Sequence, residues 1–133
     1  MKPLNEELVM TQEDKELLLK DLCARLPYGV KIQVPYEDGS GYFDEIVWEV
    51  NNDGPFHVNG WGIEYEYVKP YLFPLSSMTE KQKKEYQYIT ERWMYDPSYS
   101  ISDSTDWLNK NHFDYRGLIE KGLAIDATGL NIY

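Results

Sequence analysis

The chain has 133 residues, close to the usual size of one domain, and we expect a single domain over residues 1–133. Its 23 acidic and 13 basic residues give a net charge of -10. A surface this acidic repels phosphate backbones, so we expect no direct nucleic-acid binding. The single cysteine, Cys23, excludes an internal disulfide and a cysteine-based zinc site.

The first residues, "MKPLNEELVM", lack the apolar run of a signal peptide. No stretch approaches the roughly 18 apolar residues of a membrane span. We therefore expect a cytoplasmic protein with no membrane association. Residues 1–10 are expected to be a loose N-terminal extension, and Met10 is an alternative natural start to Met1.

The first predicted helix covers residues 11–26. Thr11 and Asp14 resemble a weak capping box at its start, and Pro27 favours its end. An apolar stripe follows helical spacing, and its members are Leu18, Leu19, Leu22, Cys23 and Leu26. Because Cys23 belongs to this stripe, we interpret it as a core residue and not as a nucleophile.

The next part of the chain predicts four antiparallel strands joined by short loops. The predicted strands cover residues 30–36, 43–50, 56–58 and 61–68. The Asn59-Gly60 pair is the strongest hairpin signal in the sequence. Strands in a row with short loops indicate an antiparallel meander, and a small curled barrel is the alternative.

The turn at Asn59-Gly60 determines which residues share a face of the sheet. Residues predicted to share the core face are Phe56, Val58, Trp61 and Ile63. His57 then lies on the opposite face, diagonal to Glu64, whose charge favours the protonated histidine. We interpret His57 as a surface histidine. A His57–Glu64 pair acting on an open sheet face is the functional alternative.

The second predicted strand tests this register. Its more apolar residues are Ile46, Trp48 and Val50. If the loop between this strand and the next has an odd number of residues, Ile46, Trp48 and Val50 lie on the same face as Phe56. If that loop has two or four residues, Trp48 lies on the face of His57 instead. The sequence leaves both alternatives open.

The C-terminal half predicts two or three helices packed on the sheet, so the expected fold class is α+β. Thr79 and Gln82 form a capping box for a helix that runs to about Met94, with inward-facing side chains at Tyr86, Ile89, Thr90 and Trp93. Ser104 or Thr105 is expected to cap a short helix that contains Trp107 and Leu108. Residues 123–133 are expected to form a final strand or an extended tail.

The stretch "HFDYRGL" at residues 112–118 has two interpretations. His112 and Asp114 could hold a metal ion together or act as catalytic groups. We favour a structural corner, in which His112 ends one helix with its polar edge in water and Asp114 caps a third helix that ends at Gly122. This corner predicts buried Phe113 and Leu118 side chains and an Arg116–Glu120 pair.

No phosphate loop, nucleophile elbow or zinc-protease motif is present, so we expect no cofactor and no metal. The many aromatic residues, 12 Tyr and 4 Trp, are typical of binding surfaces. The leading hypothesis is therefore a non-enzymatic module that binds a protein partner or itself. Alternatives are an acidic inhibitor that mimics nucleic acid and a small enzyme, for which the candidate catalytic residues are His112, Asp114, His57 and Glu64.

Three stretches together resemble a known family: "EDKELLLKDLCARLPYGVK", "YLFPLSSMTEKQKKEY" and "DWLNKNHFDYRGLIEKGLAI". They are similar to short uncharacterised proteins from gut bacteria, often found near phage-like or other mobile elements. The resemblance spans roughly residues 11–125, and "DWLNKNHFDYRGLI" is its most specific part. It implies an accessory role in a bacterial cell and assigns no functional residue, because the family has no established activity.

Overall fold

The computed structural model describes residues 10–36, 38–47, 49–51, 54–56 and 68–133. Its helices are α1 (Gln12–Arg25), α2 (Glu80–Arg92) and α3 (Ile101–Lys110). Its strands are β1 (Lys31–Pro35), β2 (Tyr42–Ile46), β3 (Glu49–Asn51), β4 (Gly54–Phe56), β5 (Lys69–Pro74), β6 (Phe113–Asp114) and β7 (Ile125–Asp126). The α+β class, the N-terminal helix and the further helices are confirmed.

Helix α1 begins where the sequence predicts, since Thr11 Oγ1 accepts a hydrogen bond of 3.0 Å from the backbone N–H of Asp14. Its buried face consists of Leu18, Asp21, Leu22 and Arg25, an i, i+3, i+4, i+7 set. Cys23 lies outside this face and is exposed. The prediction of a core cysteine was therefore wrong, because two charged residues occupy the positions that the apolar stripe was expected to fill.

The main sheet has five strands in the described part of the chain, in the order β2-β1-β5-β6, with β7 also paired to β5. Strands β1 and β2 form the expected antiparallel hairpin, from Lys31 opposite Ile46 to Pro35 opposite Tyr42. Strand β5 is antiparallel to β1 but parallel to both β6 and β7. The sheet is thus mixed and open, which corrects the expected antiparallel meander and its barrel alternative.

Strand β5 was not predicted. Pro70 and Pro74 within "KPYLFP" disguise it, because proline cannot donate to a ladder and usually argues against an inner strand. Both prolines nevertheless lie at paired positions, Pro70 opposite Ile32 and Pro74 opposite Asp114. Between them, Tyr71 and Leu72 are buried.

Strands β3 and β4 form a separate antiparallel pair in which Asn51 lies opposite Gly54. Two residues therefore separate the paired positions, and Val50 lies opposite Pro55 rather than Phe56. This is the even-loop alternative. The turn at residues 59–60 and the shared face expected for Phe56, Val58, Trp61 and Ile63 fall outside the described side chains.

The apolar residues form two clusters. The first joins α1, β1, β5 and residues 118–124, with Leu18, Leu22, Ile32, Val34, Leu72 and Leu118 at its centre. Residues of the second are Trp107, Leu108 and Phe113, with Phe73, Met78, Tyr86, Ile89 and Tyr115 packed against them. The rings of Trp107 and Phe113 stack with centroids 5.6 Å apart. The second cluster attaches α2 and α3 to the β5–β6 side of the sheet.

The C-terminal helices follow the prediction in part. The Thr79–Gln82 capping box is present, but Trp93, expected to face inward, is 44% exposed. Helix α3 starts at Ile101 with Ser100 as its cap, four residues before Ser104 and five before Thr105, the two predicted caps. The Asp103 carboxylate accepts a hydrogen bond from the backbone N–H of Ser100 at this start.

The third predicted helix, from Asp114 to Gly122, is replaced by turns. Gly117 has a φ of 76°, which interrupts a right-handed helix inside its first turn. The backbone N–H of Leu123 instead bonds to the carbonyl of Leu118 at 2.9 Å and closes a compact turn. None of the helices in the described ranges is long and apolar enough to cross a bilayer.

Candidate functional site

His112 links α3 to the sheet through its backbone. Its N–H donates to Asn109 O at 3.1 Å, and its carbonyl accepts from Phe73 N at 2.8 Å. It adopts a left-handed φ of 63° and is only 9% exposed. The expectation that its polar edge remains in water was wrong.

Asp114 forms the corner by accepting backbone hydrogen bonds. Its carboxylate accepts from the N–H groups of Leu118 at 3.0 Å, Ile119 at 2.9 Å and Arg116 at 3.3 Å. Phe113 and Leu118 are buried at this corner, as predicted. Asp114 therefore organises a turn instead of a helix, and both of its oxygens are engaged.

A buried ionic cluster joins this corner to α1. Asp21 and Arg25 are both fully buried, and Arg25 Nε lies 2.8 Å from one oxygen of Asp21. Arg116 Nη1 lies 2.8 Å from the other oxygen, so Arg116 pairs with Asp21 and not, as expected, with Glu120. Arg25 Nη2 also donates to the carbonyl of Phe113 at 2.6 Å.

This cluster was missed by sequence reasoning. Its signal was present, since Asp21 and Arg25 share the i, i+3, i+4, i+7 spacing of Leu18 and Leu22. The partner Arg116 lies 95 residues away in sequence, and no local pattern identifies it. The ring of Tyr115 lies near both guanidinium groups, 4.5 Å from that of Arg116 and 5.4 Å from that of Arg25.

Tyr133 stacks on His112, with ring centroids 3.6 Å apart and planes 9° from parallel. Its hydroxyl accepts from the backbone N–H of Lys31 at 2.8 Å and donates to the carbonyl of Tyr71 at 2.8 Å. The hydroxyl therefore bridges β1 and β5 just beyond their last direct pair, Ile32 with Pro70. Burial raises the pKa of Tyr133 to about 12.

The pKa of His112 is lowered to about 4, first by burial and then by the positive charges of Arg25 and Lys31. The ring is therefore neutral near pH 7. Two buried nitrogen atoms in this region, His112 Nδ1 and Arg25 Nη1, have no hydrogen-bond partner in the described part of the protein.

Two of the four candidate catalytic residues lie in the described part of the chain. His112 and Asp114 are buried, and Asp114 bonds to backbone N–H groups rather than to His112. Among the described residues, no group of three or more His, Cys, Asp or Glu side chains could hold a metal ion. His57 and Glu64 lie outside the described residues.

A second feature is a group of exposed apolar side chains within residues 88–101, which we name the aromatic patch. It consists of Tyr88, Trp93, Met94, Tyr95 and Ile101, each at least 44% exposed. The edge of Tyr88 meets Tyr99 with centroids 6.4 Å apart, and Arg92 lies 4.9 Å from the Tyr88 ring. These contacts keep part of the patch in place while its apolar faces stay open to solvent.

The fold and the patch together define an α+β protein with an aromatic surface at the ends of two helices. Comparison of the chain with protein-family models, curated proteins and solved structures finds no match.

Proposed function

We propose that this protein is a non-enzymatic binding module and that the aromatic patch is its binding surface for a protein partner. The observation that supports the proposal is the exposure of five large apolar side chains within residues 88–101, with Tyr95 77% exposed. Exposed apolar patches of this kind mark interaction sites, and Tyr and Trp are the residues that most often dominate binding energy. The accessory bacterial role implied by the family resemblance belongs to the same proposal.

The charges around the patch indicate the chemistry of the partner. Between residues 88 and 106 the acids are Glu91, Asp96, Asp103 and Asp106, and the only base is Arg92. The rim is therefore acidic, like the chain as a whole. A complementary partner presents apolar side chains flanked by Lys or Arg, because opposite charges steer association and exclude wrong partners.

A peptide display experiment tests this proposal. Random peptides are selected on the wild-type protein, and the affinities of the selected peptides are measured for two variants. Tyr95→Glu places a charge in the patch, and Tyr42→Glu is the matched control on strand β2, where Tyr42 is 63% exposed. Both variants add the same charge at an exposed tyrosine, so a general electrostatic effect is equal in the two.

We expect the selected peptides to combine apolar and basic residues and to bind Tyr95→Glu at least about tenfold more weakly than wild type, a loss of about 1.4 kcal/mol. Binding to Tyr42→Glu should be unchanged. Sedimentation of the protein alone at increasing concentration shows whether the partner is a second copy, in which case Tyr95→Glu abolishes the association. The proposal is refuted if no peptide is enriched, or if both variants lose affinity equally.

A further inference from the structure

Residues 127–133 form a strap that is held at its two ends. At one end, the backbone N–H of Ala127 donates to the carbonyl of Leu72 at 2.8 Å. At the other end is Tyr133, and Lys31 Nζ donates to the carbonyl of Ile132 at 2.5 Å. Residues 128–131 between these ends are all exposed. The strap thus connects strand β7 to the ring of Tyr133 through four exposed residues.

The place that Tyr133 occupies, which we name the slot, bonds the phenol hydroxyl and covers part of the ring, which stays 42% exposed. The Lys31 N–H and the Tyr71 carbonyl bond the hydroxyl from two sides, each at 2.8 Å. His112 covers one ring face, and the Phe73 ring lies 6.0 Å away at a tilt. Lys31 Nζ lies 5.7 Å from the ring centroid. The slot therefore orients the hydroxyl of a phenol through two hydrogen bonds and accepts a flat ring beside His112.

Backbone strain lies on both sides of this contact. Within the described residues, the non-glycine positions with positive φ are His112 at 63° and Asn131 at 54°. One carries the stacked ring, and the other lies two residues before Tyr133. Such conformations persist where surrounding contacts hold them, and they concentrate at ligand sites and switches. The buried Nδ1 of His112, which lacks a partner, adds a second unfavourable feature to the closed state.

We propose that the slot is a binding site for a small phenol that carries an anionic group, and that Tyr133 is its tethered competitor. The phenol replaces the ring and hydroxyl of Tyr133. The anionic group pairs with Lys31 Nζ, which loses its bond to the Ile132 carbonyl when the strap leaves.

The tether sets the conditions for binding. A short flexible connection gives the attached group an effective concentration in the millimolar range. In the wild-type protein, the affinity for a free ligand is reduced to the fraction of molecules in which the slot is open. A protein whose strap has been weakened has a larger open fraction and therefore binds the ligand more tightly. The proposal thus predicts an order of affinities among strap variants.

The test uses para-hydroxyphenylacetate as the probe, with affinities measured by calorimetry and the His112 ring followed by NMR. Tyr133→Ala empties the slot, and Tyr133→Phe keeps the ring but removes the hydroxyl bonds. We expect affinity to rise from wild type to Tyr133→Phe to Tyr133→Ala, with about a tenfold difference between the extremes. Phenylacetate, which lacks the hydroxyl, and para-cresol, which lacks the charge, should each bind Tyr133→Ala about tenfold more weakly than the probe.

Three results overturn the proposal. Equal affinities in all three proteins place the probe elsewhere. Absence of binding to Tyr133→Ala up to roughly 10 mM makes the slot a packing contact only. If Tyr133→Ala binds the peptide "TGLNIY", which is residues 128–133 of the strap, but does not bind the probe, the slot is specific for a tyrosine side chain and not for a small molecule. If Tyr133→Ala does not fold, the comparison of Tyr133→Phe with wild type decides, since a tighter variant supports the proposal and an equal one refutes it.

Discussion

Protonation of His112 should make this protein unstable in mild acid. In the folded state its pKa is lowered from 6.5 to about 4, so between these values the unfolded chain binds more protons than the folded one. The stability that depends on the neutral ring is present above pH 6.5 and is lost as the pH falls toward 4. At 1.36 kcal/mol for each pH unit, the full loss is about 3 kcal/mol, and about 2 kcal/mol is already lost at pH 5.

Urea unfolding at about pH 7.5 and about pH 5 measures this loss in the wild type and in His112→Phe, which keeps a ring for Tyr133 but does not titrate. The wild type should lose about 2 kcal/mol more than the variant over this interval. Surface carboxylates whose pKa is lowered, such as those of Asp38 and Asp126, also destabilise the protein in acid. They do so equally in both proteins, so the difference isolates His112. An identical pH dependence in the two proteins would show that the buried ring does not control acid stability.

Three further predictions concern single positions. Asp21→Ala should destabilise the protein by about 3–5 kcal/mol in urea unfolding, because it leaves the buried Arg25 without its carboxylate; Arg25→Ala should cost less, because Asp21 keeps Arg116, and the double variant should lose clearly less than the sum. Cys23 should react with a thiol reagent in the native state at nearly its denatured rate, and strong native protection would contradict its exposed position. In thermal melts, Asp114→Ala should destabilise the protein by about 1–3 kcal/mol, because the backbone N–H groups that donate to Asp114 lose their acceptor. Phe113→Ala should cost about 3–5 kcal/mol, because its ring is buried, and a smaller loss at Phe113 than at Asp114 would contradict this ranking.

The elements that sequence predicts well are those whose signals are local. Thr11 and Thr79 cap helices as expected because a cap bonds a residue only three positions away. The β1–β2 hairpin follows from alternation in β1, where Ile32 and Val34 are buried and Lys31 is not. These features depend on short stretches of chain, so their neighbours in sequence are also their neighbours in space.

Most of the features that sequence misses depend on distant contacts. Strand β5 gains its place from partners more than 30 residues away on either side, which outweigh the local effect of Pro70. The missing third helix is an exception with a local cause. Gly117 adopts a positive φ, so the chain after the Asp114 cap forms a turn and not a helix. His112 was assigned to water because histidine usually keeps a polar edge there. One of its ring faces is instead covered by Tyr133, which lies 21 residues later in the chain.

The buried ionic cluster determines how the last part of the chain closes onto α1. A buried ion pair adds little net stability, because desolvation offsets most of the attraction. Its directional bonds instead define a position, since Arg25 meets both the Asp21 carboxylate and the Phe113 carbonyl, 88 residues away. Apolar packing tolerates small shifts, whereas bonds of 2.6 and 2.8 Å do not. His112 directly precedes Phe113, so the bonds that join α1 to β6 also hold the ring on which Tyr133 stacks.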